Sequence, residues 1–165
     1  MKTVIYVKRI NGAQRLKLTK KGDWCDLCAG ENVKIEAPKI VDGEITFSNY
    51  LIPLGVAMKL PKGFEAIVAP RSSTFKYYGV MLANSIGVID NSFSGNGDEW
   101  KFGAIGLRNG SIHAGDRICQ FKIQLSQKAT LWQKIKWLLS SGIEIQYVHD
   151  LGSENRGGIG STGRR

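Results

Sequence analysis

Leu54-Gly55-Val56-Ala57-Met58-Lys59-Leu60, then Pro61-Lys62-Gly63, then Phe64-Glu65-Ala66-Ile67-Val68-Ala69 stopped by Pro70, is the stretch that decides the fold. Two apolar runs of strand length flank a Pro/Gly turn. The pattern continues on both sides. Val4, Tyr6 and their neighbours alternate as an opening strand. Val33-Lys34-Ile35, Ile45-Thr46-Phe47 and Tyr50-Leu51-Ile52 are short strands split by turn signals such as Asp42-Gly43. Ile86 to Asp90, Trp100 to Leu107 and Arg117 to Leu125 follow. Short strands at this spacing predict an all-β sandwich or barrel, not βαβ units. One helix stands out, over about residues 129–141. Leu131, Trp132, Ile135, Leu138 and Leu139 fall at helical spacing, and Gly142 is placed to cap the end. Trp137, Lys134 and Lys136 interrupt that face. The usual fate of such a helix is packing against its own domain or a neighbouring subunit. No internal repeat is present.

At 165 residues the chain has the length of one domain, and 42% apolar residues suffice for a core. Twenty glycines against four prolines imply many tight turns. The formal charge is +9, from 23 basic and 14 acidic residues. Such a surface attracts polyanions, a nucleoside triphosphate as readily as a nucleic acid. The basic residues are dispersed, with no run longer than Lys20-Lys21 or Arg164-Arg165, so no nucleic-acid-binding arm is expected. Met1 to Ile10 carries Lys2, Lys8 and Arg9 around an alternating run, which reads as a strand and not as a signal peptide. No apolar stretch approaches the ~20 residues of a membrane span. The expectation is a cytoplasmic protein with no membrane partner. Cys25-x-x-Cys28 invites a zinc or redox reading. A structural zinc site wants four ligands, usually in two close pairs, whereas Cys119, His113 and His149 are far apart in sequence.

Five segments carry chemistry. Asn155-Arg156-Gly157-Gly158-Ile159-Gly160-Ser161-Thr162-Gly163 has too little side chain to bury. It offers backbone N–H groups, two hydroxyls and a guanidinium, the makings of a phosphate clamp; the plainer reading is a polar tail. Pro70-Arg71-Ser72-Ser73-Thr74 puts a cation beside three hydroxyls just past a strand end, and alone is an ordinary polar turn. Asn84 to Gly95 holds a strand ending in Asp90, then a turn, then Phe93. That suits a hairpin pocket in which backbone and the Asn84 amide read a planar ring and Phe93 covers its face; Asp90 is equally suited to stabilising the turn. Gly115-Asp116-Arg117-Ile118-Cys119-Gln120 leads a turn into a strand. Gly22-Asp23-Trp24-Cys25-Asp26-Leu27 places two acids about an aromatic.

In this order, over residues 22–163, the five segments resemble the five motifs of the trimeric dUTP pyrophosphatases (dUTPases), most of all those of low-GC Gram-positive bacteria and their phages. The resemblance implies a jelly-roll-like β domain over residues 1–150, with residues 151–165 as a flexible arm closing over a neighbouring subunit's site. It implies hydrolysis of dUTP to dUMP and pyrophosphate in a homotrimer. Asp90 would activate a water for attack on the α-phosphorus, and Gln120 would hydrogen-bond an α-phosphate oxygen. Arg71, Ser72 and Ser73 would serve the phosphate chain or the subunit contact. Asn84 and the backbone of Gly87, Val88 and Ile89 would read uracil, with Phe93 under the deoxyribose. Arg156, Gly158, Ile159, Gly160, Ser161 and Thr162 would close over the outer phosphates. The implied cofactor is Mg2+, held mainly by phosphate oxygens, with Asp26 touching its waters.

Three departures from the pattern carry consequences. Phe93 replaces the usual Tyr, Ser73 replaces a Gly, and Ile159 replaces the Phe that lies over uracil. Ile cannot stack, so either the lid is merely apolar or an aromatic such as Trp100 takes its place. The 129–141 helix is extra to the compact family pattern and is a candidate site for a protein partner. Two alternatives stand beside dUTP hydrolysis: a dCTP deaminase-like enzyme of the same superfamily, and a nucleotide-sensing regulatory protein acting through that helix.

Overall fold

The computed structural model describes residues 1–16, 18 and 22–158. The elements run β1 (Thr3–Arg9), β2 (Cys25–Cys28), β3 (Val33–Ile35), β4 (Lys39–Val41), β5 (Glu44–Thr46), β6 (Asn49–Lys59), β7 (Phe64–Pro70), α1 (Thr74–Tyr78), β8 (Val80–Leu82), β9 (Gly87–Ile89), β10 (Glu99–Gly106), β11 (Gly110–Ile112), β12 (Arg117–Leu125), α2 (Leu131–Leu138) and β13 (Ile143–Tyr147). A five-stranded sheet is ordered β13-β1-β6-β10-β8 and a four-stranded sheet β2-β12-β7-β9; β11-β3 and β4-β5 form two small ladders. All pairings are antiparallel except β1 with β13. The expected mostly-β architecture is therefore present.

One core joins the two large sheets. Trp100 of β10 meets Phe121 of β12 edge-on, with ring centroids 5.3 Å apart and planes at 80°. Both rings are fully buried, as are Phe102, Ile5 and Ile118. Burying a Phe-sized side chain contributes on the order of 2–3 kcal/mol. Trp100 thus belongs to the core, which overturns its candidacy as a ring over uracil.

Strand β6 corrects the sequence reading, which splits it into Tyr50–Ile52 and Leu54–Leu60. It runs unbroken through Pro53. On the β1 flank the ladder reaches only as far as Arg9 opposite Val56, so the missing proline N–H leaves no gap there. On the β10 flank the register slips between Glu99 and Lys101. Gly55 takes φ 66° at this irregularity. Its N–H donates to Glu99 Oε1 at 3.0 Å, and its carbonyl accepts from Ile10 N–H at 2.8 Å. A Cβ there would collide with that of Ala13.

The helices also differ from expectation. Helix α2 spans Leu131–Leu138, shorter than 129–141, and starts with a capping box between Thr130 and Gln133. Its C-cap is Leu139, not Gly142. The stripe of Leu131, Trp132, Leu138 and Leu139 faces outward. Trp137, which interrupts the stripe in sequence, is the side chain that packs inward, edge-on to Phe64 at 5.0 Å. Helix α1 has no forewarning in the apolar pattern. Thr74 holds its start: the buried hydroxyl donates to the Ile118 carbonyl at 2.7 Å and accepts from Arg71 N–H at 3.0 Å.

Two further features bear on function. The β4–β5 hairpin, turned by Asp42 (φ 51°) and Gly43 (φ 82°), is exposed along both strands, with Ile40 78% and Ile45 68% accessible. Strands β8 and β9 are consecutive yet join different sheets, β8 pairing with β10 and β9 with β7. Val88 opposite Ile67 and Gly87 opposite Val68 commit β9 to the second sheet. No helix among the described residues is long and apolar enough to cross a membrane.

Candidate active site

Two polar corners stand on the four-stranded sheet. The first is built around Asp26 on β2. The Asp26 side chain is only 12% exposed and takes two guanidiniums, Arg71 Nε at 3.0 Å on Oδ1 and an Arg117 terminal nitrogen at 3.1 Å on Oδ2. Burying a carboxylate without a partner is costly, and this arrangement supplies charge on both oxygens. Gln120 sits beside it, because β12 pairs Gln120 with Asp26 on one side and Ala69 on the other. The Gln120 amide donates to the Pro70 carbonyl at 3.5 Å. Ser72 and Ser73 occupy the turn into α1; Ser73 is the N-cap residue, without a side-chain cap bond. Arg71, Gln120 and Asp26 thus share one corner, with Ser72 and Ser73 in the turn that follows Arg71. Arg117 was not among the expected site residues, although it lies within a quoted motif. A half-buried carboxylate bearing one arginine is the signal that asks for a second.

The second corner is built around Asp90, just past β9. Its carboxylate is 56% exposed and takes an Arg156 guanidinium nitrogen at 2.8 Å. Phe93 follows in a turn closed by its N–H on the Asp90 carbonyl at 3.0 Å, and its ring packs on the edge of the core. A Cβ added at Gly158 would lie 3.6 Å from that ring. β9 is the edge strand of its sheet, so one side of the Gly87–Ile89 backbone is unpaired by the sheet. Edge N–H and C=O groups are what a planar base with donors and acceptors would need. Asn84 stands exposed in the turn before β9. Ile159, Gly160, Ser161 and Thr162 lie outside the described residues.

The chain does not bring the two corners together. Asp26, Gln120 and Ala69 share one row of the sheet, whereas Asp90 follows Ile89, which pairs with Ala66. Three strand spacings of about 4.8 Å across, and four residues at about 3.3 Å along, put the corners roughly 20 Å apart. One triphosphate cannot touch both.

The thiols take no part in either corner's ion pairs. Burial first, then the neighbouring Asp26 and Cys28 charges, pushes the Cys25 thiol up to about 12. Burial likewise raises Cys119 well above its usual value and raises Cys28. All three are therefore protonated and poor nucleophiles at neutral pH. Among the described residues no three His, Cys, Asp or Glu side chains converge as a metal cage. Asp26 is the one expected metal contact, and its two oxygens already hold guanidiniums. With a guanidinium on each oxygen, Asp26 is suited to accept a hydrogen bond from a metal-bound water on a spare lone pair and not to ligate a bare cation.

Two paired carboxylates on one jelly-roll-like sheet, with a glycine-rich strap against one of them, define a β protein equipped to hold a phosphorylated ligand. Comparison with known proteins narrows the class. The dUTPase family model matches residues 26–161. The SPbeta prophage-derived deoxyuridine 5′-triphosphate nucleotidohydrolase of Bacillus subtilis is 42% identical over 162 residues, covering 98% of this chain and 99% of that protein. Among solved structures, the dUTPase of Streptococcus mutans superposes with a TM-score of 0.62 at 22% identity, over 75% of this chain and 98% of that one. The dUTPase of Staphylococcus bacteriophage 80alpha gives 0.60 at 18%, over 77% and 93%. The chain belongs to the dUTPase family.

Proposed function

We propose that this protein hydrolyses dUTP to dUMP and pyrophosphate. The observation that carries the reading is the Asp90 corner: an exposed carboxylate, an arginine on a glycine-rich strap, a phenylalanine ring and an open strand edge within one turn. Water attacks the α-phosphorus, Asp90 takes its proton, and the bond from the α-phosphorus to the bridging oxygen breaks. Pyrophosphate leaves with that oxygen. Asp90 suits the role because it is solvent-accessible and its charge is matched by a cation that can move away. Arg156 then exchanges a carboxylate oxygen for a phosphate oxygen, a bidentate-capable pairing of the same kind. Asn84 and the open edge of β9 read the base, and Phe93 packs against the sugar.

Mg2+ on the triphosphate would offset its charge, and Asp26 would contact the water shell of that ion. Gln120, Arg71 and the hydroxyls of Ser72 and Ser73 would hold the phosphate chain. Because these lie about 20 Å from Asp90 of the same chain, the complete site takes its second half from another copy, in a homotrimer. The β4–β5 hairpin supports this: an isolated two-stranded ladder is marginal in water, and its exposed Ile40 and Ile45 invite cover by a neighbour. The arm's end, residues 159–165, would close over a neighbouring site, while its root stays on its own chain. The outward apolar face of α2 remains the place for a protein partner.

The experiment is pyrophosphate release from dUTP, dCTP, dTTP and UTP, for the natural chain and Asp90→Asn. Release confined to dUTP, and lost with Asp90→Asn, is expected. Full activity in Asp90→Asn would remove the proposed base. Ammonia release from dCTP would favour the deaminase chemistry instead.

A further inference from the structure

Asp98 is one of two buried polar residues among those described, at 2% exposure, and neither corner uses it. Its carboxylate faces backbone N–H groups from two distant parts of the chain. Oδ2 accepts from Gly95 at 2.8 Å and from Arg156 at 2.9 Å, and Oδ1 accepts from Gly157 at 3.1 Å. Around it, the turn grips the strap at further points. Gly97 N–H donates to Asn155 Oδ1 at 2.7 Å. The Asn96 side chain donates to Asp150 at 2.7 Å and accepts from Leu151 N–H at 3.0 Å. The fit is close: a Cβ on Gly95 would lie 2.5 Å from Asn155 Cα and 2.6 Å from its backbone nitrogen.

We infer that Asp98 is a positioning residue: it buckles the root of the C-terminal strap to the Ser94–Asp98 turn, and so sets Arg156 opposite Asp90. The two bonds to Arg156 and Gly157 N–H fix the backbone on which the guanidinium is carried. The bond to Gly95 fixes the turn that follows Phe93. One carboxylate therefore holds the strap and the Asp90 corner in a common frame. It touches no substrate; it acts through Arg156. The buckle stands on the geometry alone, and its effect on turnover rests on the function proposed above.

Gly95→Ala tests this without asking a buried charge to be removed. Gly95 does not have the positive φ that would strain an alanine, and the nearest atoms the added methyl would meet all belong to Asn155 of the seated strap. Asp98→Asn is the second variant. Amide hydrogen exchange at residues 156 and 157 in the ligand-free protein should accelerate about tenfold or more in both, as expected when a local closed state is lost. Turnover of dUTP should fall about 10²-fold, the scale of a displaced catalytic partner. Combined with Arg156→Ala, either substitution should fall short of the product of the single losses by about tenfold or more, because both act on one placement. Unchanged exchange in both variants, or losses that simply multiply, would overturn the inference. If the natural chain released no pyrophosphate from dUTP, the proposed function would fail while the exchange result still decided the buckle.

Discussion

The Asp26 and Asp90 corners are both carboxylate–arginine pairs, yet they are opposite in construction. Asp26 stands on a paired strand, mostly buried, with both oxygens taken by arginines from other ordered segments. Asp90 stands at a strand end, more than half exposed, with one arginine carried on a strap. A pair of the first kind fixes geometry, since neither partner can leave without stranding charge. A pair of the second kind is worth little to stability and is easily exchanged. Chemistry that needs a free lone pair is therefore placed at the weaker pair.

The comparison breaks most sharply at Asp90. Asp90→Asn should lower kcat for dUTP about 10³-fold or more, within the range for a lost general base, while the melting temperature stays within a few degrees. A comparable fall in melting temperature would make Asp90 a structural residue. At Asp26 the expectation inverts. Asp26→Ala leaves Arg71 and Arg117 facing each other, and should cost about 2–3 kcal/mol, roughly 5–10 °C in melting temperature, besides any loss of turnover. A stable Asp26→Ala protein would show that the corner is held by something other than charge. Deleting residues 155–165 should cripple turnover yet shift melting by less than about 4 °C, because the buried Leu151 remains in place; a large shift would show that the strap is part of the core.

The smallest effect concerns pH. Burial pushes Asp98 up, but the N–H groups of Arg156, Gly95 and Gly157 outweigh it, and its pKa lies below the ordinary value. A carboxylate depressed on folding contributes fully above its unfolded pKa and loses that contribution as pH falls through the folded one. Protection factors at residues 156 and 157 should thus be flat near neutrality and decline only at acidic pH. A decline centred near neutral pH would point to a histidine instead.

Much of this was legible in the sequence for physical reasons. Strand β7 is an apolar run held between a Pro/Gly turn and Pro70, and β12 alternates after the Gly115 turn, so their limits coincide with the expected ones or nearly so. The sequence singles out both motifs that carry Asp90 and Arg156, but the expectation laid that arm over a neighbouring subunit, whereas the two side chains meet within one chain. What stayed hidden depends on tertiary context. Helical spacing marks an apolar stripe on α2 but not which side meets the core, and Trp137 alone found Phe64. Pro53 breaks a strand by propensity, yet it is harmless where β1 has ended. The site partnership of Asp98 is invisible because its donors are backbone N–H groups, which leave no side-chain pattern. Trp100 reads as a spare aromatic until its burial is seen.

The roughly 20 Å between the two corners has a consequence for mixed populations. If each working centre is assembled from the Asp90 corner of one chain and the Asp26 corner of another, a chain crippled at Asp90 and a chain crippled at Arg71 are complementary. Each alone would be inert, and co-refolding them would restore some activity. By the same logic, a chain defective at one corner would silence one centre of a healthy trimer, and a chain defective at both would silence two.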